Sequence, residues 1–228
     1  MPLLGKAAMT LWFDIEGLAP EDHDHWHTHE HFIERMSIPG FLRGSRWVAD
    51  AGTPRYFVLY EVADIEVLSS QAYLARLNQP SPWTSRMMPH YRGMTRAFCR
   101  VRASLGAGVA RAGLTLRFEP ATQDTAGLDA WLSGSLLPAL AATPGISGAH
   151  LFESAVAPAM TAEQAMRGRD AGIDRALLVT GYDATALAGL TDTLLASAAL
   201  LEHGVASGWR LQRLSLGTSL GASEVGAA

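Results

Sequence analysis

Apolar and polar residues alternate along several short stretches of the chain and recur every three to four residues in the stretches between them. Ala7–Ile15 alternates and predicts a strand. Pro20 then opens a helix, because proline suits a first helical position and Glu21 and Asp22 suit the positive end of the helix dipole. Pro39-Gly40 ends it. Leu42–Ala49 and Arg55–Val62 predict a strand pair around the turn Asp50-Ala-Gly-Thr-Pro54. Asp64 caps a second helix to about Leu77, and Thr95–Ala103 is the last strand of this set.

The same order then recurs. It comprises strand Gly113–Phe118, helix Leu128–Ala142, strands Ala149–Ala155 and Arg175–Tyr182, a helix Ala184–Glu202 capped by Asp183, and strand Trp209–Leu216. The recurrence is visible in the residues themselves. Met9-Thr-Leu-Trp-Phe-Asp14 reads like Leu114-Thr-Leu-Arg-Phe-Glu119 at a shift of 105 positions, and the same shift carries Trp26 onto Trp131 and Pro39-Gly40 onto Pro144-Gly145.

A β-α-β-β-α-β order is the split βαβ unit, so the expected fold class is α+β, two ferredoxin-like modules fused in tandem. Each module leaves one sheet face needing a partner, and two in one chain can supply it to each other, sheet face to sheet face. The expected division is 1–105 for a site-bearing module, 110–220 for a degenerate second module, and 221–228 for a flexible tail. An insertion at roughly Ser154–Gly172, rich in Ala, Met and charge, reads as a surface loop or short helix.

Composition narrows the function classes. With 48% hydrophobic residues the chain can bury a core, and a net charge of −4 argues against nucleic acid or an anionic membrane as partner. The single Cys99, read as inert strand core, excludes an internal disulfide and a cysteine-based zinc site. The N-terminal residues lack a signal-peptide pattern and no apolar run spans a membrane, so the cytoplasm is the expected compartment. The expected state is monomer or homodimer. Neither a Gly-x-Ser-x-Gly elbow nor a phosphate-binding glycine loop is present.

Five of the eight histidines fall in the first helix, at positions 23, 25, 27, 29 and 31. Regular helical spacing puts Trp26, His29, Ile33 and Met36 on a stripe facing the sheet. His27 and His31 form an i,i+4 pair on an adjoining face beside Glu34 and Arg35. His23, His25 and His27 read as a solvated face. His-Glu-x-x-His is absent and no further ligand is specified, so no metal is expected. At the 105-residue shift His31 becomes Leu136 while Trp26 stays Trp131, as expected of an acid–base side chain kept in one copy only.

Trp26 through Glu30-His31, then Pro39-Gly40-Phe41, resembles the EthD-like branch of the dimeric α/β-barrel superfamily, and Pro54–Glu61 and Ser81–Arg86 resemble its tandem members. His31 matches the branch's recurrent histidine, although Phe32-Ile33 follows it in place of Gly-Pro. The resemblance implies that the two modules form an intramolecular dimeric α/β-barrel, with a pocket between each sheet and its own helices. It also implies chemistry on small cyclic or aromatic compounds by isomerases, cyclases, lyases, oxygenases or haem enzymes. Histidine suits proton transfer near neutrality. The candidate catalytic residues are His31, His27 and Glu34. The candidate substrate contacts are Trp12, Trp26, His29, Arg46, Trp47, Tyr60, Trp83 and Arg86, with Pro82–Arg96 read as an irregular loop over the pocket.

The expected function is a cofactor-independent isomerase or lyase acting on a small hydrophobic compound. The alternatives are a cofactor-free oxygenase and a non-catalytic binding protein.

Overall fold

The computed structural model describes residues 3–155 and 160–225. It has the expected α+β architecture, with the order strand, helix, strand, strand, helix, strand occurring twice. The first set comprises β1 (Ala7–Ile15), a long helix, β2 (Phe41–Ala49), β3 (Tyr56–Val62), α3 (Gln71–Asn78), α4 (Pro82–Met87) and β4 (Tyr91–Gly106). The long helix is built from α1 (Pro20–Trp26), a π-helical turn (His27–His31) and α2 (Phe32–Met36). The second set comprises β5 (Ala112–Phe118), a helix of α5 (Ala126–Trp131), a π-helical turn (Leu132–Leu136) and α6 (Leu137–Ala142), then β6 (Ile146–Ser154). It ends with an inserted α7 (Ala162–Arg167), β7 (Arg175–Gly181), α8 (Ala184–Gly189), α9 (Ser197–Glu202) and β8 (Arg210–Gly221).

Residues cluster into two compact units that interleave along the chain. One gathers Leu4–Arg100, Ala155–Gly172 and Gly217–Ala228; the other gathers Met1–Leu3, Val101–Ser154 and Ile173–Leu216. In the first unit the sheet runs β4-β1-β3-β2 with the end of β8 beside β2. Met9 faces Phe98 and Tyr60 across β1's two antiparallel pairings. Alternation sends Met9, Leu11, Phe13, Val58 and Tyr60 toward the helices, and Trp12 and Phe57 stack 4.8 Å apart on the other face. The core of this unit is aromatic and Met-rich, around Trp26, Phe32, Phe41, Tyr73 and Met88. In the second unit the sheet runs β8-β5-β7-β6-β4 over a core dominated by leucine.

The two modules share irregular features at the same shift of 105. The π turns begin at His27 and Leu132. A bulge interrupts pairing between Phe41 and Arg43 and again between Ile146 and Gly148. Gly40 and Gly145 both hold φ +93. Repetition of such details is harder to reach by chance than repetition of regular elements.

Several predicted elements are cut shorter than expected. Asp64 does cap a turn by accepting from the Ile65 N–H at 2.7 Å, but that turn ends where Ser70 becomes extended and caps α3 through the Tyr73 N–H at 3.2 Å. Ser81 caps α4 in the same way, so the start of Pro82–Arg96 is helical. The long helix expected over Ala184–Glu202 breaks into α8 and α9, with Thr193 outside the helical region. The expected flexible tail begins with an ordered 3-10 turn, Ala222–Glu224, and Val225 packs on the first unit's core. Residues 226–228 lie outside the described residues. Among the described residues no helix is long and apolar enough to cross a membrane.

A side chain at Gly145 is excluded twice over, by φ +93 and by a Cβ that would lie 2.5 Å from the Ala186 Cβ. Gly145→Ala should therefore destabilise the fold by about 1–2 kcal/mol, read as a lower urea midpoint with an unchanged slope.

Candidate functional site

The π turn decides which side chains of the first helix meet the sheet. It inserts one extra residue, so the inward row becomes His23, His27, His31 and Arg35, all of them buried. Regular spacing had placed His29 and Ile33 inward; both are exposed. His23 and His27, read as solvated, are 0% and 2% exposed, and of that trio only His25 faces solvent.

His27, His31 and Arg35 line a hollow with Met9, Leu11, Phe13, Val58 and Tyr60 of the sheet. Its remaining walls come from Tyr73 and Leu77 of α3, from Met88, Tyr91, Met94 and Arg96, and from Glu163 and Arg167 of α7. The hollow measures about 30 Å³, room for one or two waters. All of this lies within the first unit.

Charges in the hollow are paired tightly. One nitrogen of Arg35, Nη2, donates to both Glu163 carboxylate oxygens at 2.7 and 2.6 Å, and both side chains are almost fully buried. Arg96 and Arg167 share Asp170, at 2.8 and 3.0 Å. Three guanidiniums against two carboxylates leave the surroundings one positive charge in excess. Burial pushes the His27 and His31 imidazoles well below their ordinary pKa, and neighbouring cationic groups, Arg35 among them, act in the same direction. Both rings are therefore neutral at pH 7. Burial also pushes the Tyr60, Tyr73 and Tyr91 phenols upward.

Four buried polar atoms on the walls have no hydrogen-bond partner: His27 Nδ1, His31 Nδ1, Arg35 Nη1 and the Tyr60 hydroxyl. An unmade bond at each costs on the order of 1–3 kcal/mol. Grouped round one hollow, these atoms can be satisfied together by water or by the polar atoms of a ligand. The second module lacks it. At the same shift His27, His31 and Arg35 become Leu132, Leu136 and Leu140, all buried.

The other sequence candidates are dispersed. Trp26 is wholly buried beside the site, its ring 4.6 Å from His31, and it donates to Glu30 at 3.0 Å. Glu30 also accepts from Ser81 and Thr84, so it ties the helix to α4 and does not orient His31. Glu34 turns to Arg76 at 3.3 Å and lies outside the hollow. Arg46 is buried but bonds Thr28 and the Asp24 carbonyl. Trp12 and Trp47 sit on the far face of the sheet, on residues paired across β3 with Phe57. Trp83 is half-buried against His25, and Arg86 is exposed. In the second unit His203 stacks on Trp131 at 4.2 Å.

Sequence reasoning missed Arg35, Tyr91, Glu163 and Arg167. Of the two forms the insertion could take, it holds the short helix, α7, which is part of the first unit and walls its hollow. Its helix start was legible in Thr161-Ala-Glu-Gln164, where Thr161 caps the Gln164 N–H. Among the described residues no group of His, Cys, Asp and Glu is arranged to hold a metal.

No protein-family model matches the chain, and no curated protein matches it. Solved structures do. An anthrone oxidase-like protein superposes with TM-score 0.66 at 10% identity, over 100% of this chain and 99% of its own. A candidate monooxygenase from Fusobacterium nucleatum gives 0.60 at 8% identity over 96% of both chains. One from Lactobacillus acidophilus gives 0.59 at 10% identity over 95% and 97%. At these identities the likeness shows the fold, that of the dimeric α/β-barrel proteins, and does not single out the EthD-like branch.

The buried histidines give stability a pH dependence of defined sign. Above pH 6.5 they are neutral whether the chain is folded or unfolded. As pH falls through 6.5 the unfolded chain takes up protons that the folded one refuses, so stability drops. Each ring contributes up to about 1.4 kcal/mol per pH unit below that point. A His27→Leu/His31→Leu double variant, which copies the second module, should show a shallower fall in melting temperature between pH 7 and 5.

Proposed function

We propose that this chain is a cofactor-independent oxygenase acting in the cytoplasm on a small, electron-rich cyclic phenol or ketone that ionises to an enolate. The observation that carries this is the set of four unpartnered polar atoms in one hollow, two of them on neutral imidazoles. The names of the superposable proteins, anthrone oxidase-like and monooxygenase, support an oxygenase over an isomerase or lyase. We place the chain near the EthD-like branch on Trp26, His31 and Pro39-Gly40, and infer that it arose by duplication from the irregularities its modules share.

In this reading His31 takes a proton from the substrate's ring CH₂ or hydroxyl, with His27 as second base. A neutral imidazole is a competent acceptor. Arg35 Nη1 and the Tyr60 hydroxyl donate to the oxygen on which negative charge collects. The surplus positive charge favours that anion. The enolate then passes an electron to dioxygen and the two radicals join in a C–O bond. Return of the proton to the distal oxygen gives a hydroperoxide. His27 then takes the second C–H proton as the C=O bond forms and the O–O bond breaks, and the hydroxide that leaves takes that proton to become water. The sum is CH₂ + O₂ → C=O + H₂O. A ring larger than the hollow has to displace Glu163 and Arg167 on α7. Arg35 would then exchange the Glu163 carboxylate for the substrate oxyanion.

Oxygen uptake with 1,8-dihydroxyanthrone tests the reading. One O₂ should be consumed per quinone formed, well above uncatalysed oxidation. His31→Ala should lower kcat by about 10²–10³-fold, the ordinary contribution of a positioned base. Uptake no faster than in buffer, or an unaffected His31→Ala variant, rules the proposal out.

A further inference from the structure

We propose that Asp24, His23 and Tyr91 form a proton relay that opens into the hollow at the Tyr91 hydroxyl, with Tyr91 as a further catalytic residue. The proposal deepens the oxygenase reading and rests on it for the reaction served. Tyr91, the first residue of β4, lines the hollow. Its hydroxyl lies 3.1 Å from His23 Nε2, and His23 Nδ1 lies 3.1 Å from Asp24 Oδ1. The His23 side chain is fully buried, whereas the Asp24 side chain is 34% exposed. The chain of bonds therefore links the hollow to a carboxylate in contact with solvent.

Hydrogen positions follow from the chemistry of the ends. Asp24 is held below its usual carboxylate pKa: burial works to raise it, but the His23 hydrogen bond and the Arg46 charge outweigh that. An ionised carboxylate only accepts, so His23 Nδ1 carries the hydrogen and Nε2 carries the lone pair. Nε2 must then accept from the Tyr91 O–H. The tyrosine oxygen keeps its own lone pairs for a donor in the hollow. In the relay a proton from that donor bonds to the Tyr91 oxygen while the Tyr91 proton passes to His23 Nε2. The imidazolium so formed is held by Asp24. Reversal delivers the proton back, as the oxygenase sequence needs when the O–O bond breaks.

The surroundings make this cation transient. His23 faces Asp24 and His27 on its own helix, Arg46 on β2, Arg55 and Tyr56 at the start of β3, and Tyr91 on β4, with Phe13 and Trp26 as apolar walls. Burial and the two guanidiniums keep the resting ring neutral, and Asp24 alone favours its charge. At the 105-residue shift His23 becomes the buried Leu128, so the relay is confined to the module with the hollow.

Two variants test it, each close to the native shape. Tyr91→Phe removes only the hydroxyl. Asp24→Asn, able to donate to Nδ1, would turn His23 into the tautomer that cannot accept from Tyr91. Each should lower kcat on 1,8-dihydroxyanthrone about 10–100-fold with KM little changed, and the double variant should be no worse than the poorer single one. A readout independent of turnover is the ¹⁵N spectrum of His23. The wild type should show Nδ1–H with bare Nε2, and Asp24→Asn the reverse. Saturating 1,8-dihydroxyanthraquinone should shift the Nε2 resonance toward imidazolium in the wild type but not in Tyr91→Phe. A wild-type protein that binds this probe but consumes no oxygen would defeat the oxygenase reading and leave the relay to the spectrum. The relay is overturned if Nε2 carries the hydrogen in the wild type, if the probe shift survives Tyr91→Phe, or if both variants turn over normally.

Discussion

One extra residue in the first helix controls the chemistry available to this protein. In a straight α-helix, side chains four apart drift steadily round the axis, so a row at positions 23, 27, 31 and 35 would wander off the sheet-facing side. The wider π-helical turn over His27–His31 takes up that drift. It brings three imidazoles and a guanidinium onto one line against the sheet. Without it, the exposed His29 and Ile33 would lie nearer that line and the hollow would be mostly apolar.

Such a row is expensive to bury, and the structure offsets the cost unevenly. Arg35 is compensated by a carboxylate that grips it with both oxygens, one of the stronger pairings proteins make. The imidazoles avoid the cost of charge by remaining neutral. His27 Nδ1, His31 Nδ1, Arg35 Nη1 and the Tyr60 hydroxyl are offset by nothing in the protein itself. The second module shows that the scaffold does not require them, because the same π turn there carries leucines over a dry core. A fold indifferent to these polar groups retains them in one module only. That asymmetry is the physical argument for a guest.

The sequence displayed the repeating order of elements and most of their positions, because alternation, Pro-Gly stops and Asp caps act locally. Trp26, His31 and Tyr60 could be marked from it as residues near a site. The phase of the first helix could not. A π turn leaves no distinct signature in residue types, and its effect is to move the inward face by one position. For that reason His29 was placed inside and His23 outside. Glu163 and Arg167 were hidden differently. They reach the hollow from an insertion more than a hundred residues further along the chain, and no local pattern records what such a segment packs against.

The Glu163 carboxylate already occupies the anion's place against Arg35. A carboxylate presents two oxygens sharing one negative charge, much as an enolate presents oxygen and carbon. Its grip on Arg35 thus reproduces the interaction that an ionised substrate would make. A site empty of substrate would otherwise hold an unpaired buried guanidinium, at a cost of several kcal/mol. The inserted helix spares the resting protein that cost while leaving Nη1 of the same guanidinium free. On the proposed oxygenase reading, an ionised substrate would exchange one anion for another and would not have to desolvate a bare cation. The net electrostatic penalty of entry is therefore smaller than the charges in the hollow suggest.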